Sequence, residues 1–215
     1  AFVGEHDGAV CTSSNAGRLF EWAFSRSRHI LFMPDEHLGT NTALAMGIPR
    51  QEIGVWDPTQ PPDPRSLTGC RVVVWRGFCF VHTNFTPQDV REARRGCPNA
   101  LVTVHPECVH EVVALADSSG STTGIIKFVQ EAPPGSTVFV GTDWHLVNRL
   151  NQEHPDKTVL PLRQSICTPM DMTRMKHLLF VLDGILEGNP RNIVLVDEET
   201  ARWGRVALER MLAVS

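Results

Sequence analysis

This 215-residue chain has no long run of lysine or arginine and no basic stretch interleaved with aromatics, and its formal net charge is only −4. Nucleic acid is therefore not an expected partner. Long hydrophobic runs are also absent. Those present, such as Ile30–Met33 and Val72–Trp75, are strand-sized and too short to span a membrane. No charged and apolar leader opens the chain, so the expected compartment is the cytoplasm. There the six cysteines (11, 70, 79, 97, 108 and 167) stay reduced. Most such thiols are small buried hydrophobes and a minority are ligands or nucleophiles. The first residue is Ala, not Met, and an N-terminal portion is expected to precede it.

What is present is a 42% hydrophobic composition, enough for the core of one large or two small domains. Strands are expected at His29–Met33, Arg71–Trp75, Ala100–Val104, Thr137–Val140 and Thr158–Leu160. Helices alternate with them. One runs to Met46, and one spans Trp144–Gln152. Another opens at Thr86-Pro87-Gln88-Asp89, with Thr as N-cap, Pro at the first helical position and an acid in the first turn. A further helix places Val109, Val112, Val113 and Ala116 on one face. Met172, Met175, Leu179, Leu182 and Leu186 form a helical stripe that reads as core; the apolar segment Asn192–Val196 and a helix from Glu198 to Leu212 close the chain. Short, near-continuous apolar strands indicate parallel sheets covered on both faces. Gln51–Gly69 holds four prolines and is expected to be an irregular surface insertion.

In such sheets ligands gather at the carboxyl ends of the strands. Four polar clusters fall there: Cys11–Asn15, Trp75–His82, His105-Pro106-Glu107 and Gly120–Gly124. The first and last place hydroxyls and free N–H groups at a helix start, which suits either capping or the binding of a carboxylate or phosphate. His105 and Glu107 can exchange protons or simply form a strand-end turn, and Asp35 and Asp143 read as caps or salt-bridge partners. Cys79 and Cys167 each lie in an irregular linker with a potential partner three residues on, His82 and Met170. Cys11 and Cys108, next to polar clusters, are alternatives; Cys70 and Cys97 read as structural. Two thiolates are too few for most iron–sulfur or structural zinc sites. A third could come from upstream of Ala1; the residues by themselves also allow a non-catalytic small-anion-binding α/β protein, or a zinc protein using Cys79, Cys167 and histidines such as His82.

Together these strings resemble the quinolinate synthase family. The likeness rests on Thr12-Ser13-Ser14-Asn15-Ala16, on Leu31-Phe32-Met33-Pro34-Asp35 with His37-Leu38-Gly39, and on Trp75-x-Gly77-x-Cys79-x-Val81-His82. It continues through His105-Pro106-Glu107-Cys108, Ala116-Asp117 with Gly120-Ser121-Thr122, Gly141-Thr142, Pro155-Asp156-Lys157 and Cys167-x-x-Met170. The resemblance implies three-layer α/β/α domains with short parallel sheets in a pseudo-threefold arrangement, this chain lacking most of the first. Residues 1–78 would be the second domain with the insertion 51–69, residues 79–166 the third, and residues 167–215 a C-terminal segment packing back on the first.

The resemblance further implies a [4Fe–4S] cluster held by Cys79, Cys167 and a third cysteine upstream of Ala1, which leaves Cys11 and Cys108 outside the ligand set. His82, His105 and Glu107 would be catalytic. Ser13, His105, Glu107, Ser121 and Thr122 would bind substrate, and Met170 would pack beside the cluster. The implied reaction condenses iminoaspartate with dihydroxyacetone phosphate to quinolinate in de novo NAD biosynthesis, the iminoaspartate coming from an L-aspartate oxidase or dehydrogenase. This chain by itself is expected to be inactive.

Overall fold

The computed structural model describes residues 1–61 and 67–214. In chain order it begins with α1 (Phe2–Glu5), α2 (Ala16–Phe24), β1 (Ile30–Phe32), α3 (Glu36–Ala45), β2 (Ile53–Trp56) and β3 (Val72–Trp75). Next come α4 (Phe80–Thr83), α5 (Pro87–Gly96), β4 (Leu101–Val104), α6 (His110–Val113), β5 (Ser118–Ser119) and α7 (Thr122–Glu131). The last elements are β6 (Thr137–Gly141), α8 (Trp144–Glu153), β7 (Thr158–Pro161), α9 (Thr168–Asp171), α10 (Met175–Leu186) and α11 (Glu198–Val214). Two compact units result: Cys11–Ser165 with Val214, and Ala1–Val10 with Ile166–Ala213.

The Cys11–Ser165 unit contains two sheets, ordered β1-β3-β2 and β5-β4-β6-β7, and every strand pair is parallel. The fold class is α/β with short parallel sheets. In the first sheet the β-branched run Val72-Val73-Val74 takes the central position, where Val72 and Val74 are fully buried with Phe20, Phe32 and Leu38. In the second, neighbouring register pairs serve different cores. Leu101↔Val138 faces Ile125, Val129 and Leu150, whereas Val102↔Phe139 faces Phe85, Val90 and Val112. Successive strand residues point to opposite faces, so burial on both sides calls for apolar residues at every position.

Helix ends are fixed by side chains from outside the helix as well as within it. Thr86 and Asp89 close a capping box on α5, and Arg163 from the loop after β7 donates to Asp89 Oδ1 at 3.0 and 2.7 Å. The buried Lys157 Nζ donates to the carbonyls of Val129, Gln130 and Ala132 at the end of α7, where unpaired C=O groups and the helix dipole favour a cation.

Two sequence expectations are corrected. Gln51–Gly69 is not wholly irregular, because β2 pairs with β3 from Ile53↔Val72 to Trp56↔Trp75. Ile53–Trp56 is proline-free and comes before the first of the prolines, Pro58, so nothing there removes a ladder donor. Part of that insertion, 62–66, lies outside the described residues.

The second correction concerns the other unit. There α1 rests on α11 so closely that a Cβ on Gly4 would lie 2.0 Å from the Trp203 carbonyl oxygen, and Arg210 donates to the carbonyls of Gly4 and Gly8. The Met172–Leu186 stripe is not core: Met172, Met175, Leu179, Leu182 and Leu186 are all exposed. Ile193–Val196 is exposed too and forms no strand, since a strand needs a neighbour for its backbone groups and none pairs with it among the described residues. No helix among the described residues is long and apolar enough to cross a membrane.

Candidate active site

The first half of the site hangs on one carboxylate. Asp35 Oδ1 accepts from Leu38 N–H at 2.7 Å and caps α3, while Oδ2 accepts from Cys79 N–H at 3.1 Å. The loop after β3 reaches Asp35 because Gly77 has no side chain: a Cβ there would lie 2.2 Å from the Pro34 carbonyl oxygen. Cys79 then N-caps α4, which places His82 one turn further on. Ser165 Oγ donates to the Val81 carbonyl at 2.9 Å and steadies that turn. Burial raises the Asp35 pKa, against the lowering effect of the Leu38 N–H.

The second half follows β4. His82 Nδ1 donates to Glu107 Oε2 at 3.1 Å, and its Nε2 lies 3.3 Å from Thr142 Oγ1. The His82 and His105 rings stack with centroids 4.1 Å apart. Glu107 N–H points to His105 Nδ1 at 3.3 Å, so the proton of the neutral His105 ring sits on Nε2, which faces Ser13 Oγ at 3.2 Å. Asn41 on α3 pins the loop: its Nδ2 donates at 2.8 Å to the carbonyls of both Pro106 and Cys108, and its Oδ1 accepts from His110 Nδ1. Both carbonyls flanking Glu107 are thereby held.

Two stacked imidazoles cannot both carry charge cheaply, and their surroundings decide which does. Burial opposes protonation of His82, but Cys79 and Glu107 outweigh it and push its pKa up to about 9. Burial, joined by the positive charge of His82, drives His105 well below its ordinary value. The hydrogen bond from His82 holds both the Glu107 carboxyl and the Cys79 thiol below their usual ranges. At neutral pH the group is thus a carboxylate, an imidazolium and a neutral imidazole. It borders a cleft of about 500 Å³ lined by Cys11, Ser13, Trp75, Phe78, Cys79 and Glu107 among others.

Of the residues singled out in the sequence, Ser13, Cys79, His82, His105 and Glu107 meet here. Ser121 lies at the same end of the second sheet, since Gly120 N–H donates to the Val104 carbonyl. Its hydroxyl, however, accepts from Gly124 N–H at 3.3 Å and caps α7, and Thr122 opens that helix. Cys167 belongs to the other unit, where it N-caps α9 and Met170 is 66% exposed. Cys108 is fully buried, and burial pushes its thiol up to about 12; burial raises Cys11 as well. Asn41 and the second role of Asp35 escaped the sequence reading, and Thr142 entered it only within a family string, with no role assigned. Thr142 directly follows β6, a strand-end position that could have flagged it, but nothing in the Thr40-Asn41-Thr42 string marks Asn41.

The donor atoms of Cys79, His82 and Glu107 all lie within 4.8 Å of one another, a set able to hold a metal. The protein family described as quinolinate synthetase A protein matches residues 1–213. A quinolinate synthase of Listeria monocytogenes serovar 1/2a is 44% identical over 219 residues, covering 100% of this chain and 60% of the relative. Those of Bacillus licheniformis (44%, covering 59% of that protein) and Rhodopirellula baltica (43%, covering 56%) also align with 100% of this chain. The chain therefore spans less than two thirds of the length of these curated relatives. With the family match running almost end to end, this chain belongs to the quinolinate synthetase A family.

Proposed function

We propose that the protein is a quinolinate synthase of NAD biosynthesis, or the larger part of one, that condenses iminoaspartate with dihydroxyacetone phosphate. The observation behind this reading is the Ser13–His105–His82–Glu107 network beside Cys79 on an open cleft. Ser13 Oγ and the neutral His105 Nε2–H are placed to bind a substrate carboxylate. Glu107 accepts protons and the imidazolium of His82 returns them, two groups whose shared environment holds them in opposite protonation states. Ser121 and Thr122, at the start of α7, are proposed to bind the other anionic end of the substrate.

The donor set also fits the family's [4Fe–4S] cluster at one position, because Cys79 lines the cleft and His82 favours its thiolate. Cys79 and Cys167 are proposed as two of its three cysteine ligands, the third lying upstream of Ala1. When bound, the cluster supplies a Lewis-acidic iron for substrate oxygens. The domain division at residues 1–78, 79–166 and 167–215, a cytoplasmic location, and supply of iminoaspartate by an aspartate oxidase or dehydrogenase are part of the same proposal. So is inactivity of the chain with only two of the three ligands.

The test uses anaerobically reconstituted protein carrying the upstream cysteine. Cys79→Ala is expected to lose iron and sulfide, and Glu107→Gln to keep them while kcat falls by roughly 10²–10⁴-fold. Glu107→Gln with unchanged kcat would remove the acid/base role, and full cluster content in Cys79→Ala would remove the ligand role.

A further inference from the structure

We propose that Cys79, His82 and Glu107 form a mononuclear site for a divalent ion of borderline softness, of which zinc(II) is the natural example and cobalt(II) the probe. The site is distinct from the proposed cluster in using Glu107 and not Cys167. Its donors are Cys79 Sγ, an imidazole nitrogen of His82 and a Glu107 carboxylate oxygen, mutually within 4.8 Å. Zinc–ligand bonds of about 2.0–2.3 Å in a tetrahedron put donor atoms roughly 3.3–3.8 Å apart. The ion needs only small side-chain shifts, and it takes the place of the proton between His82 Nδ1 and Glu107 Oε2.

Three further observations favour an ion here. With Nδ1 as ligand, the other ring nitrogen of His82 keeps its N–H and donates to Thr142 Oγ1 at 3.3 Å, the outer-shell contact that fixes tautomer and ring direction in metal-bound histidines. The backbones that present the ligands are tied down independently, Cys79 by Asp35 and the Glu107 loop by Asn41. The group also borders a cleft, which leaves an entry path and a fourth coordination position for water. One thiolate, one imidazole and one carboxylate suit zinc or cobalt far better than magnesium or calcium, and the two negative ligands balance the ion's charge. Because Cys79 serves both, zinc at this site excludes cluster assembly on that cysteine.

The experiment is an anaerobic titration of the purified, metal-free protein with cobalt(II), read in the near-ultraviolet thiolate-to-cobalt band and the visible d–d bands. One equivalent is expected to bind, and zinc(II) to displace it. Cys79→Ser is expected to abolish the charge-transfer band; Glu107→Gln and His82→Ala to change the d–d bands and weaken binding; and Thr142→Ala to weaken it by roughly tenfold or more. In protein carrying the upstream cysteine, Cys167→Ala should retain full cobalt binding while losing cluster uptake, so failure of this site and failure of the cluster reading are separable. Without any substitution, zinc should protect Cys79 from alkylation, as mapped by peptide mass spectrometry. The proposal is overturned by the absence of a thiolate band, a band that survives Cys79→Ser, unaltered binding in Glu107→Gln, loss of binding in Cys167→Ala, or alkylation of Cys79 at the same rate with zinc.

Discussion

Two helical stripes of similar sequence quality meet opposite fates in this molecule. Val109, Val112, Val113 and Ala116, in the Cys11–Ser165 unit, pack into the core beside β4, and Val112 is fully buried, although the helix expected over them is only the single turn α6, with Val109 and Ala116 outside it. Met175, Leu179, Leu182 and Leu186, in the other unit, lie on α10 at helical intervals of three and four and stay exposed. The period of the pattern specifies a helix and the face that needs covering; what covers that face depends on a partner element, here a sheet supplied from elsewhere in the chain. Cys79 and Cys167 repeat the contrast at the level of chemistry. Both precede a potential partner by three residues; Cys79 meets Asp35, His82 and Glu107, while Met170, three residues beyond Cys167, is exposed.

The largest expected effect that tests this contrast is in the buried unit. Phe85 is 1% exposed in the core against Val102 and Val104, so Phe85→Ala should cost about 3–5 kcal/mol in urea unfolding. Asn41→Ala comes next, at about 2 kcal/mol, because two carbonyls and His110 lose their partner and the two carbonyls are left unsatisfied. Hydrogen exchange should accelerate at His105, Glu107 and Cys108 and leave β6 unchanged. If the exchange of that loop stays as in the wild type, Asn41 does not hold it.

These two residues also mark what the sequence could reveal. Val102 and Val104 were legible from the near-continuous apolar run Ala100–Val104, the pattern of a doubly covered strand; Phe85 was not singled out, although the capping string Thr86–Asp89 follows it directly. Five of the residues that form the site were legible from strand ends and from the family strings. Asn41 was not, because its role exists only once α3 lies across the loop after β4, a pairing of segments over sixty residues apart in number. The exposure of α10 was equally hidden, for a stripe carries no mark of whether its partner is at hand.

A smaller effect comes from Asp89, which accepts from Thr86 N–H at 2.7 Å and from Arg163. Asp89→Ala should cost about 1 kcal/mol at neutral pH, mostly through the cap, with half-exposed Arg163 adding little. Burial alone would raise the Asp89 pKa, but Arg163 and Thr86 outweigh it and hold it below 3.8. A carboxyl depressed in the fold stabilises at pH values above its unfolded value, and that contribution is lost as pH falls through the folded one. The gap between wild type and Asp89→Ala should therefore be constant above pH 5, roughly, and close in stronger acid. A gap that widens on acidification would contradict the ion pair.

The smallest effect bears most directly on the contrast between the units. Leu186 is 85% exposed at the end of α10, so Leu186→Ser removes almost no buried apolar surface and should change stability by no more than about 0.5 kcal/mol. Set beside Phe85→Ala, the ratio compares the core into which the first stripe packs with the exposed second stripe. A cost of about 2 kcal/mol or more for Leu186→Ser would mean that the stripe is covered in solution, and its dependence on protein concentration would tell how. Cover by a second copy makes the cost grow as concentration rises, because association stabilises by mass action; cover from within the same polypeptide makes it independent of concentration.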